Sequence, residues 1–245
     1  MATYLSVIIP VFNSEKSLGE LYRRLSAVLK RIAGENYEII MVDDASRDES
    51  FLKMQALHSG DPKVKLIRLS RNFGQQNALL SGFHYAAGEV VITLDDDLQH
   101  PPEEIPLLIE KIEAGYDVVF GIPAAKKHSF YRNLGTVMTD CLLTLISRKT
   151  RNVKVSSFRA LKRTVVMELT QVKRSFIYLA PLIFKVTTCT ANVFVRHEPR
   201  RYGGSNYSFR KLFRLWVKLL MNYSRIAEYL PKDERPQFEI REIHF

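Results

Sequence analysis

Asp95, Asp96 and Asp97 stand together directly after the apolar run Val90–Leu94. A buried parallel strand that ends this way delivers polar groups to the carboxyl edge of its sheet, where open α/β folds bind ligands. On an extended backbone alternate residues share a face, so Asp95 and Asp97 point one way and Asp96 the other. Two like charges on one face repel, and a divalent cation between them relieves the repulsion. Hard carboxylate oxygens suit Mg²⁺ or Mn²⁺, which hold substrate phosphates while keeping some of their waters. The competing reading of the same residues is a solvated acidic turn ahead of a helix starting at Pro101-Pro102-Glu103-Glu104. A second acidic strand end, Asp43-Asp44, closes the run Tyr37–Val42. His100, beside two prolines, reads as a polar turn residue, and the single Trp216 as a packing or membrane-facing one.

The elements that must position these groups follow from pattern. Apolar runs at Tyr4–Pro10, Tyr37–Val42, Val64–Leu69, Val90–Leu94 and Tyr116–Gly121 have strand length. Between them lie helical stretches: one capped by Ser14 and running to about Ala33, with Leu18, Leu21, Leu25 and Leu29 on one face; one from the Ala45–Asp48 turn through His58; one after Gly74 to about Ala87; and Pro101–Ala114. Strand–helix alternation with short connections predicts a mostly parallel sheet covered on both faces, in a single domain. The second half is less regular. It predicts a helix over Phe130–Ser147, a strand over Val153–Leu161, a short helix over Thr164–Thr170, a strand over Thr188–Val195 and a loop over Arg200–Asn206. An amphipathic helix follows over Phe209–Tyr229, with Leu212, Leu215, Trp216, Leu219 and Leu220 on one side and Arg210, Lys211, Arg214 and Lys218 largely on the other. Pro231–Phe245 is a charged tail, either disordered or an edge strand. The expected organisation is one domain over residues 1–230, with a nucleotide and metal half to 120 and an acceptor half beyond it, then the tail 231–245.

Charge separates the same halves. The chain of 245 residues carries a net charge of +10, but residues 1–120 hold −6 and residues 121–220 hold +17. A half this basic calls for an anionic partner: a phosphate-bearing substrate, an anionic membrane or nucleic acid. Cys141 and Cys189 fit a reducing compartment and no disulfide framework. No uncharged apolar stretch reaches the length of a membrane span; Asn133–Ser147 is interrupted by Asp140, and Ser175–Phe184 ends at Lys185. The amino-terminal run is strand length and lacks a signal-peptide pattern.

The segments LDDDLQHPPEEI, SVIIPVFNSEKSL and IIMVDDASRDES together resemble the family-2 glycosyltransferases of GT-A fold. Within them the chain looks most like the polyprenyl-phosphate sugar transferases, over roughly residues 4–223. Asp96 is a departure, since the usual form has alanine there, and Phe12 stands where tyrosine is usual. The resemblance implies a Rossmann-like GT-A sheet and a nucleotide-sugar donor. Pro10, Asn13 and Glu15 would wall the base, Asp43 and Asp44 would accept hydrogen bonds from base or ribose, and Arg71, Asn72 and Gly74 would form a base- and ribose-facing loop. A carboxylate suits uracil or guanine, so UDP and GDP both stay open. Asp95 and Asp97 would hold the metal with Gln99 as third ligand, and Asp96 would contact the ribose or face outward.

For the acceptor, Ser157-Phe158-Arg159 resembles a phosphate-binding element of the polyprenyl-phosphate transferases. The segment Arg201, Gly204, Ser205, Tyr207 resembles a second such element, slightly shifted, and Arg132 precedes both. Arginines suit phosphate because a planar fork donates in pairs. Family-2 enzymes with hydroxyl acceptors carry a Glu-Asp element whose aspartate is the base; residues 121–197 hold only Asp140 and Glu168, neither in such a context. A phosphate acceptor is already an anion and needs positioning and charge neutralisation instead. The expectation is therefore an inverting, metal-dependent transferase, with Arg159 among its catalytic groups, acting on a polyprenyl phosphate. It would be cytoplasmic and peripheral at the inner face of the cytoplasmic membrane, held to an anionic surface by the Phe209–Tyr229 helix; the competing reading of that helix is that its apolar face packs on the sheet and leaves nothing for lipid. Transfer to a glycan hydroxyl is the alternative, and a second copy or a membrane protein stays open as a partner. Nucleic acid is excluded as partner: no nucleic-acid motif is present, and the acidic strand ends would repel a phosphate backbone.

Overall fold

The computed structural model describes residues 3–124, 138–139, 141–147, 149, 152–174, 176–199, 209–224 and 237–245. Arg132, Arg201, Ser205 and Tyr207, with the 200–206 loop, most of the front of the 130–147 helix and residues 225–236, lie outside them.

In chain order the elements are β1 (Leu5–Val11), α1 (Leu18–Ala33), β2 (Tyr37–Asp43), α2 (Ser50–Gly60), β3 (Val64–Leu69), α3 (Gln75–Phe83), β4 (Val90–Thr93), a 3₁₀ turn at Pro102–Glu104, α4 (Ile105–Glu113), β5 (Val118–Pro123), β6 (Arg159–Lys162), α5 (Arg163–Thr170), α6 (Leu179–Val186), β7 (Thr190–Val195), α7 (Phe209–Tyr223) and β8 (Ile240–His244). The eight strands form one sheet in the order β7-β5-β6-β4-β1-β2-β3-β8. Pairings of β1 with β2, β1 with β4, β2 with β3, and β5 with β7 are parallel. Those of β3 with β8, β4 with β6, and β5 with β6 are antiparallel. This is the mostly parallel α/β sheet that strand–helix alternation predicts.

Both faces are apolar because both are covered. Along β1 and β2, Val7, Ile9, Ile39 and Met41 join the core under α1, α2 and α4, while Ile8, Ile40 and Val42 join the core under α3, α5 and α6. That is why these strands read as unbroken apolar runs rather than alternating ones.

Several boundaries differ from expectation. α1 starts at Leu18, because the N–H groups of Ser17 and Leu18 both turn back to the Ser14 carbonyl in a separate turn. α3 ends at Phe83 rather than near Ala87. The expected strand over 153–161 forms only at its far end, as β6, and the backbone at Lys154 is held instead by the side chain of Asn192 from β7. α6 arises from the apolar run around Ser175–Phe184, too short and too uniformly apolar for its pattern to tell helix from strand. Of the two possibilities for the tail, Ile240–His244 is an edge strand, paired with β3.

Just before β4, the chain passes close over β1. A Cβ added at Gly88 would lie 2.6 Å from the backbone nitrogen of Ser6, and the Gly88 N–H donates to Ser6 Oγ at 2.8 Å. Backbone cannot yield as a flexible side chain does. Gly88→Ala is expected to cost about 1–3 kcal/mol or more, read as a lowered midpoint in urea unfolding; an unchanged midpoint would contradict this packing.

Candidate active site

The loops that follow β1, β2 and β4 meet at the carboxyl edge of the sheet. Among the described residues three non-glycine ones adopt positive φ, Asn13, Ala45 and Leu98, and one lies in each of these loops. Such conformations persist where surroundings over-determine them, and they cluster at functional sites. Here the determinants are visible. Asn13 Oδ1 accepts from Arg47 N at 2.8 Å and Asn13 N donates to Ser46 Oγ at 3.0 Å. Glu15 Oε2 accepts from Glu49 N at 3.1 Å. Asn13 and Glu15 therefore zip the β1 loop to the β2 loop. Phe12, between Pro10 and Asn13, stays exposed at 45% and offers an aromatic face.

Asp43 and Asp44 are both buried. Asp43 Oδ1 accepts from Ser46 N at 3.0 Å, and its Oδ2 lies 3.2 Å from Arg68 Nε, an ionic contact too bent for a hydrogen bond. The expected role of Asp43 at base or ribose thus meets a carboxylate closed off inside the β2 turn. Asp44 accepts from Phe73 N at 2.7 Å and Gly74 N at 2.8 Å, holding the loop that leads into α3. Burial pushes the Asp44 carboxyl up to about 6, against the pull of those two N–H groups. Arg71 and Asn72 are exposed, with the Arg71 guanidinium 4.7 Å from the Phe73 ring centroid.

Asp95, Asp96 and Asp97 leave β4 half-buried. β4 ends at Thr93, with Asp96 and Asp97 in the turn beyond it, so the expected extended-strand alternation does not carry through them; Asp96 neither faces outward nor stays open. Its Oδ2 accepts from Phe12 N at 3.2 Å and Ser14 Oγ at 2.5 Å, so it fixes the β1 loop, and burial pushes its pKa up to about 6. Asp95 Oδ1 accepts from Gln75 Nε2 at 2.6 Å and Oδ2 from Ser157 Oγ at 2.6 Å. Asp97 Oδ1 accepts from Gln99 N at 3.1 Å. Among the described residues no three His, Cys, Asp or Glu side chains gather as a metal cluster. A two-carboxylate set suits a cation whose remaining positions go to substrate phosphates and waters, as Mg²⁺ and Mn²⁺ prefer.

The expected separation of Ser157-Phe158-Arg159 from the nucleotide half is corrected. β6 runs antiparallel beside β4, with Arg159 opposite Thr93, so its amino end meets the carboxyl end of β4. Ser157 thereby reaches Asp95. Arg159 is 2% exposed, with Nε 3.2 Å from Thr93 Oγ1; desolvation lowers its pKa to about 10, offset in part by the charge of Asp95. A buried guanidinium beneath Asp95 is not an open cradle for an acceptor phosphate. His100 is also buried, its ring stacked 5.3 Å from that of Phe158 and edge-on to His197 at 5.1 Å. Gln75 and Thr93 carried no signal in the sequence; only the tertiary arrangement brings them here.

The raised Asp44 pKa has a consequence for stability. Its folded value of about 6 exceeds its ordinary 3.8, so between those values the folded chain holds the extra proton. The contribution of this group to stability therefore falls as pH rises through that window. The unfolding free energy of the unaltered chain minus that of Asp44→Asn is expected to drop by about 1–3 kcal/mol from pH 4 to 7 in chelator. A flat difference would reject the assignment.

Comparison with known proteins agrees with this architecture. Residues 6–169 match the family model described as glycosyl transferase family 2. A protein of Photorhabdus laumondii named undecaprenyl-phosphate 4-deoxy-4-formamido-L-arabinose transferase is 36% identical over 217 residues, covering 88% of this chain and 66% of its own. One of the same name from Pseudomonas fluorescens SBW25 is 38% identical over 222 residues, covering 88% of this chain and 63% of its own. The chain spans just under two thirds of the length of these relatives. Glucosyl-3-phosphoglycerate synthase from Mycobacterium tuberculosis, solved with Mn²⁺, UDP and phosphoglyceric acid, superposes with a TM-score of 0.67 at 18% identity over 90% of this chain and 78% of its own, a likeness of fold, here GT-A. With its strand order, its acidic sheet edge and the matched span of residues 6–169 in agreement, the chain belongs to glycosyltransferase family 2.

Proposed function

We propose that the chain transfers a sugar, with inversion, from a nucleoside-diphosphate sugar, UDP or GDP, to a polyprenyl phosphate. The observation that carries this reading is Asp95 and Asp97 at the end of β4, within reach of loops zipped together by Asn13, Glu15 and Asp96. The relatives' names, which give undecaprenyl phosphate as their acceptor, support the lipid side of it.

In this reading the exposed Phe12 face and the Arg71–Gly74 loop, with Pro10 beneath, flank the nucleotide, and Asp44 holds that loop in place. Asp95 and Asp97, with Gln99 as third ligand, would hold Mg²⁺ or Mn²⁺ across the donor phosphates, offsetting charge on the leaving nucleoside diphosphate. An oxygen of the acceptor phosphate attacks the anomeric carbon from the side opposite that leaving group. The carbon–oxygen bond to the diphosphate breaks as the new one forms, and no proton need be removed from the nucleophile. Arg132, Arg201, Ser205 and Tyr207 are assigned to the acceptor phosphate. Asp97→Ala is expected to lower transfer to polyprenyl phosphate by roughly 100-fold or more. Its metal-free thermal midpoint should be unchanged or slightly higher, since a like-charge contact is lost. Unaltered turnover would remove the metal assignment, and turnover only with a glycan hydroxyl would remove the lipid acceptor.

A lipid acceptor needs the chain at a bilayer, and no described helix is long and apolar enough to cross one. The expected Leu/Trp face of α7 is turned inward: Leu219 and Tyr223 are buried, and Trp216 Nε1 donates to Thr139 Oγ1 at 2.9 Å. Leu220 of that expected face stays out and, with Phe213, Val217 and Met221, forms an exposed stripe at helical spacing beside exposed Arg214 and Lys218. That combination suits an interfacial helix on anionic lipid, and we assign it the peripheral contact with the inner face of the cytoplasmic membrane. Flotation should show reversible binding to anionic vesicles at low salt, lost by about 0.5 M salt as charges are screened and weakened by Phe213→Ser with Met221→Ser. Equal binding by that double variant would rule this stripe out.

A further inference from the structure

Asp95 is gripped from both sides. Gln75 Nε2 holds Oδ1 and Ser157 Oγ holds Oδ2, each at 2.6 Å. The two grips differ in backing. Gln75 is exposed, at the first turn of α3, where water competes for its hydrogen bond. Ser157 is anchored from beneath: its carbonyl accepts from Thr93 Oγ1 at 2.5 Å, and that same hydroxyl accepts from Arg159 Nε at 3.2 Å. Thr93 and Arg159 are both buried, 1% and 2% exposed, directly opposite each other across the β4–β6 pairing. A threonine hydroxyl has one proton to give and lone pairs to accept with. Here it gives to one residue and accepts from the other, so its orientation is determined.

We propose that Ser157 is a positioning residue for Asp95, held in place by Thr93 and Arg159, and that it does not bind the acceptor. The inference rests on the metal reading of Asp95 given above. The reason lies in geometry. A hydrogen bond to each carboxylate oxygen fixes the plane of the group, while each oxygen keeps a lone pair for a cation. Partners of this kind behind a metal ligand are commonly worth 10–100-fold in metal affinity. A serine whose hydroxyl proton is committed to Asp95 has no proton to offer a lipid phosphate. The buried Arg159 charge acts in the same direction, since its field holds the carboxylate against the sheet end where Ser157 stands.

The test is Mn²⁺ titration of the chain alone, followed by electron paramagnetic resonance, together with steady-state kinetics. Ser157→Ala is expected to weaken Mn²⁺ about tenfold and to raise the Mn²⁺ concentration needed for half-maximal turnover, with KM for polyprenyl phosphate unchanged. Ser157→Thr, which keeps the hydroxyl, is expected to restore most of the Mn²⁺ affinity. Thr93→Val, close in shape, should weaken Mn²⁺ in the same direction through Ser157. If Ser157→Ala binds Mn²⁺ as the unaltered chain does, or its defect is confined to KM for polyprenyl phosphate, the positioning role is overturned while the metal reading stands. If the unaltered chain itself binds no Mn²⁺, the metal reading falls and this assignment with it.

Discussion

Because β6 runs against β4, the residues that open it stand where β4 releases its aspartates. A parallel neighbour would have brought its carboxyl end to that edge and left Ser157 and Arg159 at the opposite side of the sheet. The reversal also lets Arg159 lie flat between strands, opposite Thr93 and Phe120. A cation so buried is costly unless compensated, and Asp95 supplies the compensation across the sheet end. The site and the middle of the sheet are therefore one construction. Gly121 belongs to it as well, since a Cβ there would lie 2.7 Å from Phe158 Cδ1, the ring on which His100 stacks.

Acidic side chains crowd this edge, and most have been given a protein donor. Asp43 closes the β2 turn, Asp44 holds the loop before α3, Asp96 fastens the β1 loop and Asp95 is clamped by Gln75 and Ser157. Each commitment removes a conformational freedom that ligand binding would otherwise have to remove. The same economy accounts for the positive-φ residues: Asn13, Ala45 and Leu98 hold strained backbone only because hydrogen bonds on both sides of each loop, or a buried side chain at Leu98, leave no alternative.

Legibility in the sequence followed locality. The parallel core was readable because doubly covered strands are continuously apolar, whereas the same-face reading of Asp95 and Asp97 assumed an extended backbone, and β4 ends at Thr93 with Asp96 and Asp97 in a turn. The partners of Asp95 were not readable, since Gln75 opens a plain helix and Ser157 reaches Asp95 only through the antiparallel pairing of β6 with β4. The amphipathic pattern of α7 was visible, but pattern alone left open whether its Leu/Trp face packs inward or meets lipid. The helix has two apolar stripes, and the burial of Leu219 and Tyr223 against the core under α3 and α6 decides which one stays outside. Asp43 and Asp44 showed the same limit: their position at a strand end was plain, but burial, which turns them from open acceptors into turn builders, depends on Arg68, Phe73 and Gly74.

Asp96, the departure from the family pattern, shows how a third acid can be added without overloading the edge. It bonds to the β1 loop, whereas Asp95 bonds to Gln75 and Ser157 and Asp97 to the Gln99 backbone. Its two donors come from the β1 loop, the one that carries Phe12. An alanine at this position could accept neither bond, and the Phe12 backbone and the Ser14 hydroxyl would need other partners. Burial and the two neighbouring carboxylates raise its pKa to about 6, which the Ser14 and Phe12 donors oppose.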